Sequence, residues 1–388
     1  MDETAFKARI VSDIRDISSD AWNSVANPGG EAFDPFLTWE FLEALESSGA
    51  AIPETGWSPC HVVIEDPNDM VVAAMPMYAK THSQGEFVFD HSWADAYQRA
   101  GGDYFPKLLA AVPFTPVTGR RLLVKPGPDQ TRLGNALVSA AIQIAAQNDF
   151  SSLHVNFVQP DQAQQLDELG LLIRNDQQFH WRNQDYKNFE DFLSALSSSK
   201  RKNLRKERAK AQAGLTFQHL TGDDIKPHHW DAFFEFYMDT GSRKWGYPYL
   251  NRETFTLLGD RMSEHTLLVL ALDDDIPIAG ALNFIGSDTL YGRYWGCTEP
   301  RPFLHFETCY YQAIDFAITN NLSVVEAGAQ GGHKLARGYA PVTTFSAHWI
   351  AHKGLREAID DYLARERQAV EHESAYLNKR TPFKKDNT

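Results

Sequence analysis

Residues 289–326 read TLYGRYWGCTEPRPFLHFETCYYQAIDFAITNNLSVVE. Thr289 to Trp295 reads as a strand, and Gly296 to Pro302 is a turn punctuated by Gly and Pro. Phe306 to Ile318 carries apolar residues at helical spacing. The Asn320-Asn321 pair breaks that helix, and Leu322 to Glu326 follows as a short strand. A strand, a helix and a second strand in succession point to an α/β fold.

Working outward, the same order occurs twice. Upstream lie helices at His229 to Met238 and Glu253 to Met262, then strands at Thr266 to Leu272 and Ile276 to Phe284 joined by Asp273-Asp274-Asp275. Downstream, Thr343 to Ile350 alternates like a strand and Leu355 to Val370 is a closing helix. In the first half, Trp39 to Ser47 is helical, and His61 to Ile64 and Met70 to Tyr78 are strands around the turn Asp66-Pro67-Asn68-Asp69. Glu86 to Phe89 reads as a third strand, Thr131 to Gln147 as a helix and Leu153 to Val158 as a buried strand. The repetition predicts a duplicated α/β unit with mixed sheets. The expected division is 1–185 and 186–388, the second part beginning with a basic helical segment.

The 388 residues suit two domains, and 43% hydrophobic with 23% charged residues excludes a disordered or fibrous chain. The longest apolar run, Met70 to Ala79, is too short to span a bilayer, and Met1 to Lys7 has no leader pattern. Cys60, Cys297 and Cys309 have no CxxC spacing and cannot build a disulfide framework. These features predict a soluble, cytoplasmic protein. The net charge of -14 opposes broad nucleic-acid binding. Residues 200–210, KRKNLRKERAK, hold seven bases and one acid, so they carry +6 and the remainder -20. That segment is either a local site for phosphates or a solvated helix face.

Chemistry concentrates between Tyr291 and Trp349. The turn Gly296 to Pro302 offers backbone N–H groups to an anion, with Arg293 and Arg301 beside it. On the helix that follows, His305 and Cys309 share a face, as do Glu307 and Tyr311. A partly buried Glu307 would have a raised pKa and act as a base. Glu326 ends its strand and Gly328 to Gly332 follow, after which His333, Lys334 and Arg337 bring an imidazole, an ammonium and a guanidinium within five residues. Such a loop suits an anionic substrate and an acid or base. Walker, GxGxxG, HExxH and GxSxG motifs are absent, and His348 and His352 lie on a strand pattern that separates them, so no metal is expected. In the first half Trp93 and Asp95 open an aromatic, Pro-rich loop that either lines a substrate cleft or packs between the halves.

The runs GRYWGC, FLHFETCYYQAI, EAGAQGGHKLARGY and SAHW, with WADAY and VPFTPVTGRRLL before them, resemble the FemAB-like family of peptidoglycan biosynthesis or recognition proteins, within the GNAT acyltransferase superfamily. The resemblance spans roughly Phe33 to Phe383. It implies two GNAT-like domains in tandem and transfer of an acyl or aminoacyl group to an amine, from acyl-CoA or aminoacyl-tRNA. The acceptor would be a small molecule or a peptide, and a non-catalytic module that recognises a peptidoglycan precursor is the alternative. On this reading Glu307 or Glu326 is the base, with His305 and His333 as rivals. Arg293, Tyr294, Tyr310, Tyr311, Gln330, Lys334 and Arg337, with Trp93 and Asp95, hold substrate. Lys200, Arg201, Lys202 and Arg205 contact donor phosphates.

Overall fold

The structure is a computed structural model, and it describes residues 6–244, 248–328 and 331–384. The first half begins with β1 (Lys7–Val11), α1 (Ser19–Ala26), α2 (Trp39–Ser47), β2 (Trp57–Pro59), β3 (His61–Glu65), β4 (Val71–Met75) and β5 (Met77–Lys80). It continues through α3 (His91–Arg99), β6 (Lys107–Ala110), β7 (Leu123–Val124), α4 (Gln130–Gln147), β8 (Ser152–Val158), α5 (Pro160–Glu168) and β9 (Leu172–Arg182). The second half begins with α6 (Phe189–Ala195), α7 (Ser198–Ala211), β10 (Thr216–Leu220), α8 (Pro227–Lys244), α9 (Arg252–Met262), β11 (Thr266–Asp273), β12 (Ile276–Ile285) and β13 (Thr289–Cys297). After α10 (Leu304–Phe306) comes a π-helical turn at Glu307–Tyr311, then α11 (Gln312–Thr319), β14 (Val324–Glu326), β15 (Ala340–Ile350) and α12 (Lys353–Asn378).

The chain divides into two compact units. Unit 1 comprises residues 1–176 and 343–371, and unit 2 comprises 177–342 and 372–388. The division expected at 185/186 differs on two counts: β9 enters unit 2 from Gln177, and the chain returns to unit 1 for β15. Sheet pairing gives the physical reason. In unit 1, β5 is antiparallel to β6, β6 is parallel to β8, and β8 pairs antiparallel with β15. In unit 2, β12 is antiparallel to β13, β13 is parallel to β14, and β14 pairs antiparallel with His180–Arg182 of β9. Each unit thus completes its sheet with a strand from the other half of the sequence. Unit 1 also contains a four-stranded antiparallel sheet, β1-β3-β4-β7.

Glu86 to Phe89 is not a strand; the next strand after β5 is β6, which begins only at Lys107. Glu86 is buried and accepts from Lys107 Nζ at 2.7 Å, so its apparent alternation reflects an ion pair and not a ladder. Lys107 and Lys80 are direct cross-strand partners, an unfavourable pairing of like charges. Glu86 and Asp90 offset it, each forming an ion pair with Lys107.

In unit 2 the buried faces of β11 and β12 pack under α11 and the aromatic residues of α6. Helix α8 crosses the far face of β13 at Gly296, where a methyl group would lie 2.0 Å from the carbonyl oxygen of Phe236. Only a residue without Cβ allows that approach. Gly296→Ala is expected to cost about 3 kcal/mol through overpacking against a helix backbone that cannot yield. Urea unfolding checks it, and a change below about 1 kcal/mol would mean that α8 moves freely.

Candidate functional site

Parallel strands β13 and β14 pair only through Thr289–Tyr291 and Val324–Glu326, after which they part. In open α/β sheets, ligands bind where strands diverge at their carboxyl ends. A register shift opposite Leu282/Asn283 places Arg293 as the extra residue of a bulge in β13. Bulges re-aim side chains beside sites. Arg293 Nη2 meets Glu326 Oε1 at 2.5 Å, and both side chains are buried. His180, delivered by β9, has Nε2 3.7 Å from Glu326 Oε2. Burial holds the His180 imidazole below its usual pKa despite the neighbouring carboxylate, with Arg182, Arg293 and Lys334 acting in the same direction as burial.

The loop after β14 is tied down by Lys334. Its buried ammonium donates to the carbonyls of Ala327 at 2.6 Å and Gly328 at 2.9 Å, and Gly328 has φ +75°. Burial pulls Lys334 down to about 8, against the pull of Cys309 and Glu326 and with that of Arg293. Lys334 therefore shapes the loop, with two of its three donors spent on backbone.

Helix α7 shows two faces. Leu204, Glu207, Arg208 and Ala211, at helical spacing, turn inward. Arg208 Nε donates to Glu307 Oε1 at 3.1 Å and Arg208 Nη2 to Asp315 Oδ2 at 2.5 Å. Gln212 and Gln312 also donate to Glu307 Oε1, at 2.9 and 2.7 Å. Burial raises the Glu307 pKa although Arg208 and the two amides oppose it. Wholly buried and committed to α7, Glu307 works here as an anchor. Glu207, the single acid of the basic run, accepts from Tyr311 Oη and from Arg337 Nη2, each at 2.7 Å. Arg337 lies 3.5 Å over the Phe306 ring, so the loop after β14 is latched to α7 through one guanidinium.

His333 meets Tyr310 Oη at 3.0 Å, and partial burial with Arg337 and Lys334 nearby holds its imidazole below the usual value. His305 lies among the rings of Trp295, Phe306 and Tyr310, at 5.1, 5.6 and 5.4 Å. Tyr294 packs on Tyr237 of α8. Arg301, expected at an anion cradle, is instead paired with Asp273 at 2.5 Å and Glu299 at 3.0 Å. Gln330 lies outside the described residues. Lys200 and Arg201 are half-buried and, four and three residues before Leu204, share its face of α7, whereas Lys202 and Arg205 are exposed and Arg205 is paired with Glu190 of α6.

Trp93 and Asp95 belong to unit 1, whereas the other candidate residues are in unit 2. Asp95 is exposed, and Trp93 is buried against His154 and His348, whose Nδ1 atoms are 2.7 Å apart. In unit 1 the gap past the parallel pair β6 and β8 is filled by the chain itself. Gly119 bridges to Val158, and buried Arg121 donates to the carbonyls of Asn156 at 3.0 Å and Val117 at 2.6 Å. The comparable parting of strands in unit 2 carries Glu326 and Arg293 instead. Sequence reasoning missed His180, Glu207 and Arg208. A histidine in a stretch given no element, just before the expected division at 185/186, gave no signal, and an acid and a base inside a basic run read as solvated. Among the described residues, no group of three or more His, Cys, Asp or Glu is placed to hold a metal ion.

The FemAB-like family model, described as peptidoglycan biosynthesis/recognition, matches residues 13–385. The chain belongs to the FemAB-like family. Its fold is similar to that of FemX, with 13% identity and a TM-score of 0.55 over 89% of this chain and 98% of that one. It is also similar to the C-terminal domain of a putative lysylphosphatidylglycerol synthetase from Agrobacterium fabrum, with 9% identity and a TM-score of 0.52 over 89% and 95% of the two chains. L-PGS from Bacillus licheniformis aligns at 9% identity and a TM-score of 0.50 over 84% and 94%. At such identities the likeness is one of fold. Comparison with curated protein sequences gives no match. This FemAB-like chain folds as two mixed α/β units, with a fold similar to that of FemX.

Proposed function

We propose that unit 2 transfers an aminoacyl group from aminoacyl-tRNA to the amine of a peptidoglycan or other cell-envelope precursor. The observation that carries the reading is Glu326, charge-balanced by Arg293 and beside His180, where two parallel strands part. An amine is protonated at neutral pH and must lose a proton to attack. Glu326, directly or through water, takes that proton as the nitrogen forms its bond to the carbonyl carbon, and the ester C–O bond to the ribose then breaks. The leaving oxygen takes up the second proton that the nitrogen sheds as the amide forms. N–H groups at the parted strand edge would support the developing oxyanion. The family description and the names of the neighbouring folds support this class of chemistry.

The choice of donor rests on charge. Arg293, Arg301, Arg337 and Arg205 are already paired, and the exposed lysines of α7 are Lys202, Lys206 and Lys210, along a helix about 21 Å long at 1.5 Å per residue. That length suits several phosphates in a row more than the three of CoA. A variant with Lys200, Arg201, Lys202 and Arg205 all changed to Ala is expected to bind aminoacyl-tRNA at least ~10-fold more weakly at low salt and to show a flatter salt dependence. Unchanged salt dependence would reduce these side chains to solubilising charges. No helix among the described residues is long and apolar enough to cross a membrane, and the proposed work is cytoplasmic, where charged tRNA is found. The decisive assay follows amide formation from aminoacyl-tRNA or acyl-CoA with amine-bearing precursors. Donor binding without turnover would favour a recognition module, and turnover with acyl-CoA alone would overturn the choice of donor.

A further inference from the structure

Residues 200–210 hold one acid among seven bases, and among the described ion pairs that acid, Glu207, takes no partner from its own helix. Lys206, Arg208 and Lys210 all stand within three positions of it. Its carboxylate instead reaches Arg337, 130 residues away in sequence. Arg337 divides its fork between two acceptors: Nη2 donates to Glu207 at 2.7 Å and Nη1 to the carbonyl of His333 at 2.8 Å. Its guanidinium carbon lies 3.5 Å over the Phe306 ring, and the side chain is only 6% exposed.

His333 is the residue these contacts bear on. It is exposed, and an exposed side chain ordinarily samples several rotamers. Here its Nε2 meets Tyr310 Oη at 3.0 Å, and its ring centroid is 5.4 Å from that of Phe306. The ring also folds back over its own chain: a Cβ on Gly331, whose φ is +119°, would lie 2.5 Å from His333 Cε1. We propose that Glu207 is a positioning residue for the transfer site: through Arg337 it seats the loop after β14 and fixes where His333 stands. The inference rests on the transfer reading above and adds the residue that joins the two sides of α7. In that reading the exposed lysines of α7 meet the donor, while Glu207 holds the loop that follows Glu326. Charge balance alone would need only a cation at position 337. Positioning needs the guanidinium fork, since an ammonium keeps the charge but not the planar pair of donors.

The test uses the full chain with labelled histidine, His333 being assigned by the signal lost in His333→Gln. Removing a carboxylate from a fixed structure makes a nearby imidazole harder to protonate. Glu207→Ala is expected to do the reverse and raise the proton affinity of His333 at least ~3-fold, because the ring leaves the guanidinium and its packed setting. In the transfer assay with aminoacyl-tRNA, the same variant should lose kcat about 10- to 100-fold with donor KM unchanged, as for a misplaced group. Arg337→Lys should lose nearly as much kcat, whereas Glu207→Gln, which keeps an acceptor for the guanidinium, should recover most of it. Circular dichroism checks folding, and Arg337→Lys carries both readouts, with the same signs expected, should the Ala variant fail to fold. A fall or no change in the proton affinity of His333 overturns the proposal, as does full activity in Arg337→Lys or a loss confined to donor KM. If no donor supports turnover, the transfer reading falls, and the titration alone decides whether Glu207 seats His333.

Discussion

Glu326→Gln is expected to lower kcat about 100- to 1,000-fold with little change in KM, the loss typical of a general base. The amide still accepts a hydrogen bond from Arg293, so the geometry of the split persists while the proton acceptor is gone. The same change leaves the Arg293 guanidinium, only 2% exposed, without its counter-charge, at an expected cost of about 3–5 kcal/mol of stability. The double variant with Arg293→Met separates the two effects. It should recover most of the stability and none of the activity. Steady-state kinetics and urea unfolding on the three proteins check the expectation, and near-normal turnover by the Gln variant would remove Glu326 from the chemistry.

Arg208→Met is expected to be the most damaging single change to the architecture of unit 2, by about 3–5 kcal/mol. It takes the only cation from Glu307 among its described partners and also breaks the contact to Asp315. Glu307 Oε2 is buried with no hydrogen-bond partner among the described residues, so the carboxylate has little else to hold its charge. The pH dependence follows from the direction of the Glu307 shift. A carboxyl whose pKa is raised on folding adds stability below its unfolded value, and that stability is lost as pH rises through the folded value. Removing Arg208 raises the folded value further. The stability gap between wild type and variant should therefore widen from pH 4.5 to 7 in denaturant titrations. A gap that stays constant would show that Arg208 acts through packing on Phe189, whose ring it covers at 4.0 Å, and not through charge.

Much of this fold was legible because local signals agreed with the final packing. The β11–β12 hairpin announced itself by an apolar run on each side of Asp273-Asp274-Asp275, and Asp274 and Asp275 both adopt positive φ in the turn. The helix after β13 and its stop at Asn320-Asn321 were equally plain, Asn321 taking φ +56°. Strand β6 was not legible. It is four residues long and starts with a lysine, which a sequence reader assigns to the surface, yet Lys107 is wholly buried by partners more than fifteen residues away in the chain. Within the site, Glu326 and Arg293 could be named because they end a strand and sit in an unusual run. Their pairing could not, since it depends on a bulge set by the register with β12. Glu207 and His180 act through contacts to residues far away in sequence, and no local pattern encodes those.

The exchange of closing strands has a consequence for how the chain is made. Synthesis proceeds from the N-terminus, and unit 1 cannot complete its sheet until residues 343–371 have left the ribosome. Until then β8, every residue of which is buried in the finished fold, has an open edge that invites pairing with another chain. Unit 2 needs only β9 from upstream, already present when β14 emerges, so its sheet can close first. Assembly thus runs against the order of translation, the earlier half waiting on the later. A gene cut at the boundary between the repeats would yield two fragments that each lack a strand, and they would be productive only when produced together.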